Sequence, residues 1–452
     1  MDGQILSPDV GGTKGDSCFV ALASFLGHYI YIMIDPKLLI DAPELVVANN
    51  HKRHKDFDIA NVSALFSSRK ELLEKVESLR AKANEIAGRI PKTDANDRPT
   101  LIEEGRRIKE EGKILEAELQ KIEAEFEATW RQYPNILRED VPEGVGEEGN
   151  EVVRTFGTPP VFSFIPKDHL EIGEKHGWID VERAAKVSGA RFAYLKGEMV
   201  ELELALLQYT FSTLIKKGFT PVFPPHMIFT KAMGAMGYLE HGGEEEVYHL
   251  KNDDTVLIGT SEQAIGPMLM DEMLAEDQLP LRFAAFSPCY RREAGSYGKD
   301  MRGILRMHQF DKIEMFSFTT PEASDTEHEF LLGMQETLMQ GLGLPYRVMK
   351  LCAGDTGAPS ARTYDIETWM PSQNLYRETH STSNTTDFQT RRLNIRVRRE
   401  GKNVLAHALN GTAFAMGRIM IAIIENNQQE DGNVKVPEVL QPWIGKGQIG
   451  AK

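Results

Sequence analysis

Two heptad runs separated by a turn constrain this chain more than any other feature. Leu65, Leu72, Leu79 and Ile86 recur at a seven-residue spacing, and Val76, Ala83 and Ile90 fall four positions after a member of that set. Lys, Arg, Glu and Ser fill the positions between, so the run reads as one helix with a narrow apolar seam. Pro91 to Pro99 (PKTDANDRP) then breaks the helix with turn formers. Leu101, Ile108, Leu115 and Ile122 repeat the pattern, with Leu119 and Phe126 at the intervening positions. Gly105 and Gly112 take two seam sites, where they either weaken the seam or let the helices approach closely. Two helices joined by a short turn must run antiparallel, and each, at about 28 residues, spans roughly 40 Å. An arm projecting from a body is therefore expected. A pair of ordinary core helices is the alternative, disfavoured because the seam is only two positions wide. Arg69, Arg80, Lys82, Arg89, Lys92, Arg98, Arg106, Arg107, Lys109 and Lys113 lie off the seam or at its edge. They form a solvated face or a phosphate track, and the pattern leaves both open.

With 452 residues, 41% of them hydrophobic, the chain is too long for one small module and too apolar for wholesale disorder. Cys18, Cys289 and Cys352 are scattered and form no CxxC pair, which argues against a disulfide framework or thiolate zinc site and for a reducing compartment. A net charge of -15 argues against a protein that coats DNA, although a local basic strip can still bind nucleic acid. Phe19 to Met33 is apolar for about fifteen residues, short of the ~20 of a membrane span. Asp2, Asp9 and Asp16 precede it with only Lys14, unlike a signal peptide. Residues 1–32 thus read as a non-native upstream extension or a loosely docked segment, and a soluble cytoplasmic protein without a membrane partner is expected. Tyr133 to Leu137 ends the hairpin, and the acidic, aperiodic Glu139–Glu151 (EDVPEGVGEEGNE) reads as a linker.

The chemistry lies beyond it. Met199 to Lys217 is amphipathic, with Val200, Leu204, Leu207, Phe211, Leu214 and Ile215 on one face and Gly218 as C-cap. A strand ending in Pro224-Pro225 follows, an arrangement proline tolerates only at strand ends and edges. Period-two alternation puts Phe283, Ala285, Ser287, Cys289, Arg291 and Glu293 on one face of a strand. After the loop Ala294–Ile304 it puts Arg306, His308, Phe310, Lys312 and Glu314 on one face of the next. Antiparallel pairing would gather Arg291, Glu293, Arg306, Phe310 and Glu314 on one surface. Such residues pack poorly but suit a nucleotide, with Arg for phosphate, Phe for a base and Glu for an amine or metal. Ion pairs on a solvated face are the alternative. Tyr376 to Asn384, with Asp387, Gln389, Arg391 and Arg392, is dense in hard oxygen ligands that fit Mg²⁺ carrying a nucleotide. Strict alternation points Glu378 and Ser381 opposite ways, so a shared metal requires a bend or bulge. Arg418 follows Asn410-Gly411-Thr412 in an otherwise apolar helix and needs an anion, either a triphosphate or an internal carboxylate.

Together these residues resemble the three motifs of class II aminoacyl-tRNA synthetases, and specifically the seryl-tRNA synthetase family. The likeness runs from Met33 (MIDPKLL) to about Val436. The arm, the Pro-Pro turn, Thr260-Ser261-Glu262, Arg291-Arg292-Glu293-Ala294-Gly295, Arg306-Met307-His308-Gln309-Phe310, Glu378 onward and Asn410-Gly411-Thr412 follow the family's order. The resemblance implies an α+β protein with an antiparallel coiled-coil arm and a catalytic domain built on a mostly antiparallel sheet flanked by helices. Its implied divisions are an extension over 1–32, a tRNA-binding domain over 33–138, a linker over 139–153 and a catalytic domain over 154–452. It implies ATP-dependent activation of L-serine and transfer to serine tRNA, with selenocysteine tRNA as a second substrate, Mg²⁺ as cofactor, and a homodimer built on the helix before Gly218 and the Pro-Pro strand.

The same resemblance implies residue roles. Arg291 would hold the α-phosphate and the serine carboxylate, and Glu293 the nucleotide or its metal. Arg306 and Arg418 would hold the γ-phosphate, Phe310 would stack on adenine, and Met307 would offer its backbone to the base. Glu378 and Ser381 would bind Mg²⁺ and ATP, with Arg292, Thr379 and His380 beside them. Thr260, Ser261, Glu262, Glu314, Asn410 and Thr412 would take serine. Arg292, His380, Thr382 and Thr412 depart from the family's commonest residues, but none removes a group given chemistry here. Relatives that load a carrier protein lack the arm, and an inactive paralogue would be expected to lose Arg291, Glu314 or Arg418, all present here.

Overall fold

The computed structural model describes residues 34–240, 242–294 and 302–450. The extension over 1–32, the start at Met33, Gly295 of the arginine motif and most of the Ala294–Ile304 loop lie outside the described residues.

The arm is present as α1 (Ile59–Arg89) and α2 (Arg98–Trp130), of 31 and 33 residues. Each is longer than the heptads alone implied and spans ~45 Å. Asp58 caps α1 by accepting from the Asn61 amide at 2.9 Å, a contact worth ~1 kcal/mol. Pro99 sits in the first turn of α2, where its missing N–H costs nothing. Leu72, Val76 and Leu119 are buried along the seam, and Arg69–Glu123 (3.1 Å) and Arg80–Glu116 (2.9 Å) bridge the helices beside it. A Cβ on Gly105 would lie 3.3 Å from Ile86, so here glycine permits close approach, whereas Gly112 has nothing within 4 Å. The arm is rooted in its own small core, where Leu65, Phe66, Phe126, Trp130 and Tyr133 pack with Ile34, Val46 and Phe388. Arg53, buried, fastens this root to the body through the carbonyls of Asn135 (3.0 Å), Thr356 (3.0 Å) and Ser360 (2.5 Å).

The body is an eight-stranded sheet. In chain order its strands are β1 (Glu151–Phe156), β2 (Thr220–Val222), β3 (Leu281–Tyr290), β4 (Gln309–Thr319), β5 (Tyr346–Lys350), β6 (Arg362–Met370), β7 (Leu375–Thr386) and β8 (His407–Ala415). The spatial order is β1-β5-β6-β7-β8-β4-β3-β2, antiparallel throughout except for β2 against β3. Helices α3 (Glu198–Ile215), α4 (Ser324–Leu342) and α5 (Met416–Asn426) join the sheet in the main hydrophobic core. The α+β architecture expected from the sequence is therefore the one found. No described helix is long and apolar enough to cross a membrane.

Two segments differ from the sequence reading. Gly218 does close α3, with φ +88, but the buried side of the helix is Met199, Leu202, Ala205, Leu206 and Tyr209. Of the face read from the sequence only Leu214 is buried; Val200, Leu204 and Ile215 are 38%, 56% and 49% exposed. The helix is apolar on two sides, and periodicity alone cannot say which side faces the core. The acidic stretch read as a linker is packed on the sheet. Asp140 pairs with Lys350 (2.8 Å) and Arg362 (3.3 Å), and Asn150 holds Asp355 (2.7 Å). Gly144 and Gly149 approach Cys352 so closely that a Cβ would stand 2.8 and 3.1 Å from its sulfur. Strand β1 already begins at Glu151.

Candidate active site

Strands β3 and β4 pair antiparallel, with Phe310 opposite Cys289, Lys312 opposite Ser287 and Glu314 opposite Ala285. The strands are shorter than alternation implied. Arg291, Glu293, Arg306 and His308 lie on the segments just beyond them, joined by Arg291 N–H donating to His308 O at 2.9 Å. Glu293 adopts φ +50, which turns the chain out of the ladder there. All five residues expected on one surface nevertheless line a common cavity. Its main chamber, about 600 Å³, contains Arg291, Glu293, Arg306, Glu314 and Arg418, and a side recess of about 70 Å³ adds Met307 and Phe310.

The inner end of the chamber is acidic and enclosed. Glu262 is buried, and its carboxylate accepts from Tyr238 OH (2.7 Å), Gln389 Nε2 (2.8 Å) and Asn410 Nδ2 (3.1 Å). Burial first, and then the nearby Glu314, push its pKa above the ordinary carboxylate value. Glu314 accepts from Thr412 Oγ1 (3.3 Å) and Thr260 Oγ1 (3.4 Å) and forms a buried ion pair with Lys312. A bulge in β8 between the pairs Ile313–Phe414 and Glu314–Thr412 sets Thr412 directly opposite Glu314. The outer end is cationic. Arg306 pairs with Glu293 at 3.2 Å and Arg418 with Glu378 at 3.2 Å. Arg291 donates from Nε to Gly259 O at 3.1 Å and lies 5.2 Å from the Phe310 ring centroid. Arg418 is not fully buried as the apolar helix implied; its side chain is 28% exposed and opens into the cavity.

The bulge required for Glu378 and Ser381 to share a face exists. Ile366 pairs with His380 but Glu367 pairs with Glu378, so Thr379 is the extra residue, and both Glu378 and Ser381 line the chamber. Gln335 of α4 holds β7 and β8 together from behind, donating to Ser381 O (2.9 Å) and Thr412 O (2.8 Å).

Two family models match the chain: the seryl-tRNA synthetase N-terminal domain over residues 33–137, and the tRNA synthetase class II core domain (G, H, P, S and T) over residues 247–427. A serine–tRNA ligase of Clavibacter michiganensis subsp. michiganensis is 45% identical over 415 residues, covering 91% of this chain and 97% of that one. The chain belongs to the seryl-tRNA synthetase family. A serine–tRNA ligase of Rubrobacter xylanophilus is 41% identical, covering 92% of this chain and 99% of its own. The seryl-tRNA synthetase of Pyrococcus horikoshii, solved in complex with ATP, superposes with a TM-score of 0.85 at 37% identity, over 92% of this chain and 99% of that one. The Naegleria fowleri cytoplasmic serine–tRNA ligase, in complex with AMP, gives 0.81 at 30% identity, over 92% and 98%.

Within this seryl-tRNA synthetase fold, three residues singled out from the sequence direct their side chains elsewhere. Ser261 is buried under the chamber, bonded to Ala285 O (3.2 Å) and Ser287 Oγ (2.8 Å). Arg292 turns out toward Tyr248, 5.9 Å from its ring, in a separate hollow with Glu244 and Glu245. His380, on the opposite face of β7, is buried against Phe414 and bonded to Thr379 Oγ1 at 2.8 Å. The other fourteen expected residues line the chamber or its recess. Two contributors were missed. Lys312 was on the right strand face but was given no role, and Tyr238 carries no spacing signal that points to Glu262. Gln389, read from the sequence among oxygen ligands for a metal, instead donates its amide to Glu262.

Proposed function

We propose that this family member performs ATP-dependent serine–tRNA ligation with the following division of labour. The single observation that carries it is the cavity's polarity. Arginines occupy one end of the chamber and a buried hydroxyl-and-carboxylate nest the other, and Arg291, Lys312 and Thr412 line both the chamber and the recess that holds the Phe310 ring. ATP occupies the cationic end, with adenine on Phe310 beside the Met307 backbone and its phosphates folded across Arg291, Arg306 and Arg418. Serine occupies the nest, its ammonium at Thr260 and Glu262 and its hydroxyl between Glu314 and Thr412, with Asn410 bracing Glu262. Lys312, ion-paired to Glu314, adds positive charge where the two substrates meet.

A carboxylate oxygen of serine attacks the α-phosphorus, and the bond to the β-phosphate oxygen breaks, releasing pyrophosphate with its electron pair. The carboxylate is already ionised, so no general base is needed. Alignment and neutralisation of the charge spreading over the phosphates are needed, and Arg291 supplies both through its fork of donors. A terminal ribose hydroxyl of tRNA then attacks the seryl carbonyl and displaces AMP. Alanine is rejected because it leaves Glu314 and Thr412 without a hydroxyl partner, a penalty that can reach ~10⁴-fold.

The donor set also fits Mg²⁺. Glu378 and Ser381 present hard oxygens on one face, and Asp365, directly opposite Ser381 on β6, has a buried carboxylate oxygen without a hydrogen-bond partner. No group of three or more His, Cys, Asp or Glu forms a self-sufficient metal cage among the described residues. That suits an ion delivered with ATP, where it would neutralise phosphate charge.

The remaining assignments extend the same reading. Residues 33–138 form the tRNA-binding unit, and 154–452, with the packed segment 139–153 against their sheet, are catalytic. The arm grips tRNA by shape and phosphate contacts and leaves the anticodon unread. Selenocysteine tRNA is grouped with serine tRNA because shape is what such an arm reads. The exposed apolar face of α3, with Phe223 at 73% exposure, supports a homodimer in which one arm serves the partner's site. Buried, unpaired Cys289 and Cys352 support a reducing, cytoplasmic setting. The test is pyrophosphate exchange into ATP. Serine-dependent exchange followed by tRNA serylation is expected, and exchange without serylation would favour loading of a carrier protein instead.

A further inference from the structure

Two residues outside the chamber connect the elements that carry Arg306 and Arg418. His169 opens the short helix His169–His176, and Glu425 lies near the end of α5; both are buried. Glu425 accepts from the backbone N–H of His169 at 3.1 Å and from that of Ser372 at 3.1 Å, and its Oε1 lies 3.2 Å from His169 Nδ1. The other side of the imidazole meets the chain just before Arg306, where the Ile304 N–H donates to His169 Nε2 at 3.2 Å. A ring nitrogen that accepts carries no proton. The imidazole is therefore the neutral tautomer with its proton on Nδ1, donated to Glu425. A glycine makes room for it: Gly303 has φ +73, and a Cβ there would stand 2.0 Å from Nε2.

Glu425 lies about two turns along α5 from Arg418. At the start of the same helix, a Cβ on Gly417 would lie 3.1 Å from Ile304 O. The segment leading to Arg306 is thus held against α5 at two points, by close backbone approach at Gly417 and through the imidazole at Glu425. Ile304, Arg306, Gly417 and Arg418 all line the recess beside the chamber. Ile304 is itself buried, so His169 satisfies a backbone donor inside the protein.

We propose that His169 is a positioning residue for ATP: oriented by Glu425, it holds the Ile304 backbone so that Arg306 keeps its spacing from Arg418 across the γ-phosphate. This rests on the reading that those two arginines hold that phosphate. The readout is the γ-phosphate's share of binding, the ratio of the ADP to the ATP dissociation constant, measured by calorimetry on the full chain with Mg²⁺ and without serine. His169→Asn keeps a donor for Glu425 but has no atom at the Nε2 position. It should cut the ratio about tenfold, as when one hydrogen bond to a charged group is lost. His169→Gln restores an acceptor at that position and should bring the ratio back to within about twofold of the parent. Affinity for ADP and for serine should be unchanged in both. Arg306→Ala should cut the ratio at least as far, and Arg306→Ala combined with His169→Asn should be no worse than Arg306→Ala alone. Glu425→Gln, which loosens the imidazole from behind, should shift the ratio in the same direction and carries the test if His169→Asn does not fold. A parental ratio in Arg306→Ala overturns the placement of the γ-phosphate. A reduced ratio in Arg306→Ala with a parental ratio in His169→Asn, or in Glu425→Gln where that variant carries the test, overturns the role of His169 alone. Failure of His169→Gln to restore the ratio, or loss of ADP and serine affinity in step with it, makes His169 a general structural residue and overturns the proposal.

Discussion

Arg291 makes no ion pair among the described residues, while Arg306 and Arg418 each have a carboxylate. Its Nε is committed to Gly259 O, which fixes the plane of the guanidinium and leaves its remaining donors for an anion. Arg291→Lys keeps the charge but loses the fork, so serine-dependent exchange should fall about 10²–10³-fold, with Arg291→Ala lower still. Thr412→Val removes one hydroxyl at nearly constant volume. It should raise the KM for serine by about tenfold, the cost of one hydrogen bond to a charged group, and narrow the preference for serine over alanine. Steady-state exchange with both amino acids measures this, and an unchanged ratio would place the serine hydroxyl elsewhere. Two buried histidines act on stability instead. Burial pulls His328 and His380 down to about 3, whereas an unfolded histidine titrates near ~6.5. Between those values the unfolded chain binds protons that the folded one does not. Stability therefore falls as pH drops through that window, by up to ~1.4 kcal/mol per pH unit for each histidine. His380→Gln should flatten the acid limb of urea-unfolding stability between pH 6 and 4, and an unaltered slope would show that His380 does not contribute.

Among the elements, the arm was the most legible from sequence because its signal is local: a repeat, a breaker and a repeat. Its root packs Leu65, Phe66, Phe126 and Trp130 into the body-facing core, so cutting at the helix ends would damage more than the arm. Replacing residues 73–118 with a short Gly-Ser turn spares that root. Serylation of tRNA should fall at least about 10²-fold while exchange stays within about twofold, because only the former uses the arm's phosphate and shape contacts. Equal loss of both would contradict the arm's role. The paired strands β3 and β4 were legible too, since alternation put Arg291, Glu293, Arg306, Phe310 and Glu314 on one surface. The bulges at Thr379 and before Glu314 were not, because a bulge is set by the partner strand and leaves no mark on alternation. That is why Glu378 and Ser381 looked opposed, whereas His380 and Ser261 looked like site residues on motif membership alone. The acidic stretch before β1 looked like a linker because its partners, Lys350, Arg362 and Cys352, lie far along the chain.

At the scale of the molecule, the two-faced helix α3 stands out. Leu204 is 56% exposed and Phe223 73%, close to the Pro-Pro strand. Leu204→Asp with Phe223→Asp should shift the protein from dimer to monomer in sedimentation equilibrium without lowering the melting temperature of the monomeric fold. A protein already monomeric before substitution would remove the dimer from the account. In the proposed division of labour, the cavity selects two small substrates and the arm one large one. Its central claim is that the cavity brings ATP and serine together. The most direct measurement is ATP–pyrophosphate exchange with each of the twenty amino acids in turn. The account predicts rapid exchange with serine, with alanine and glycine weaker by about 10⁴-fold, and loss of the serine signal in Arg291→Ala. Exchange driven equally by amino acids without a hydroxyl, or undiminished in Arg291→Ala, would contradict it.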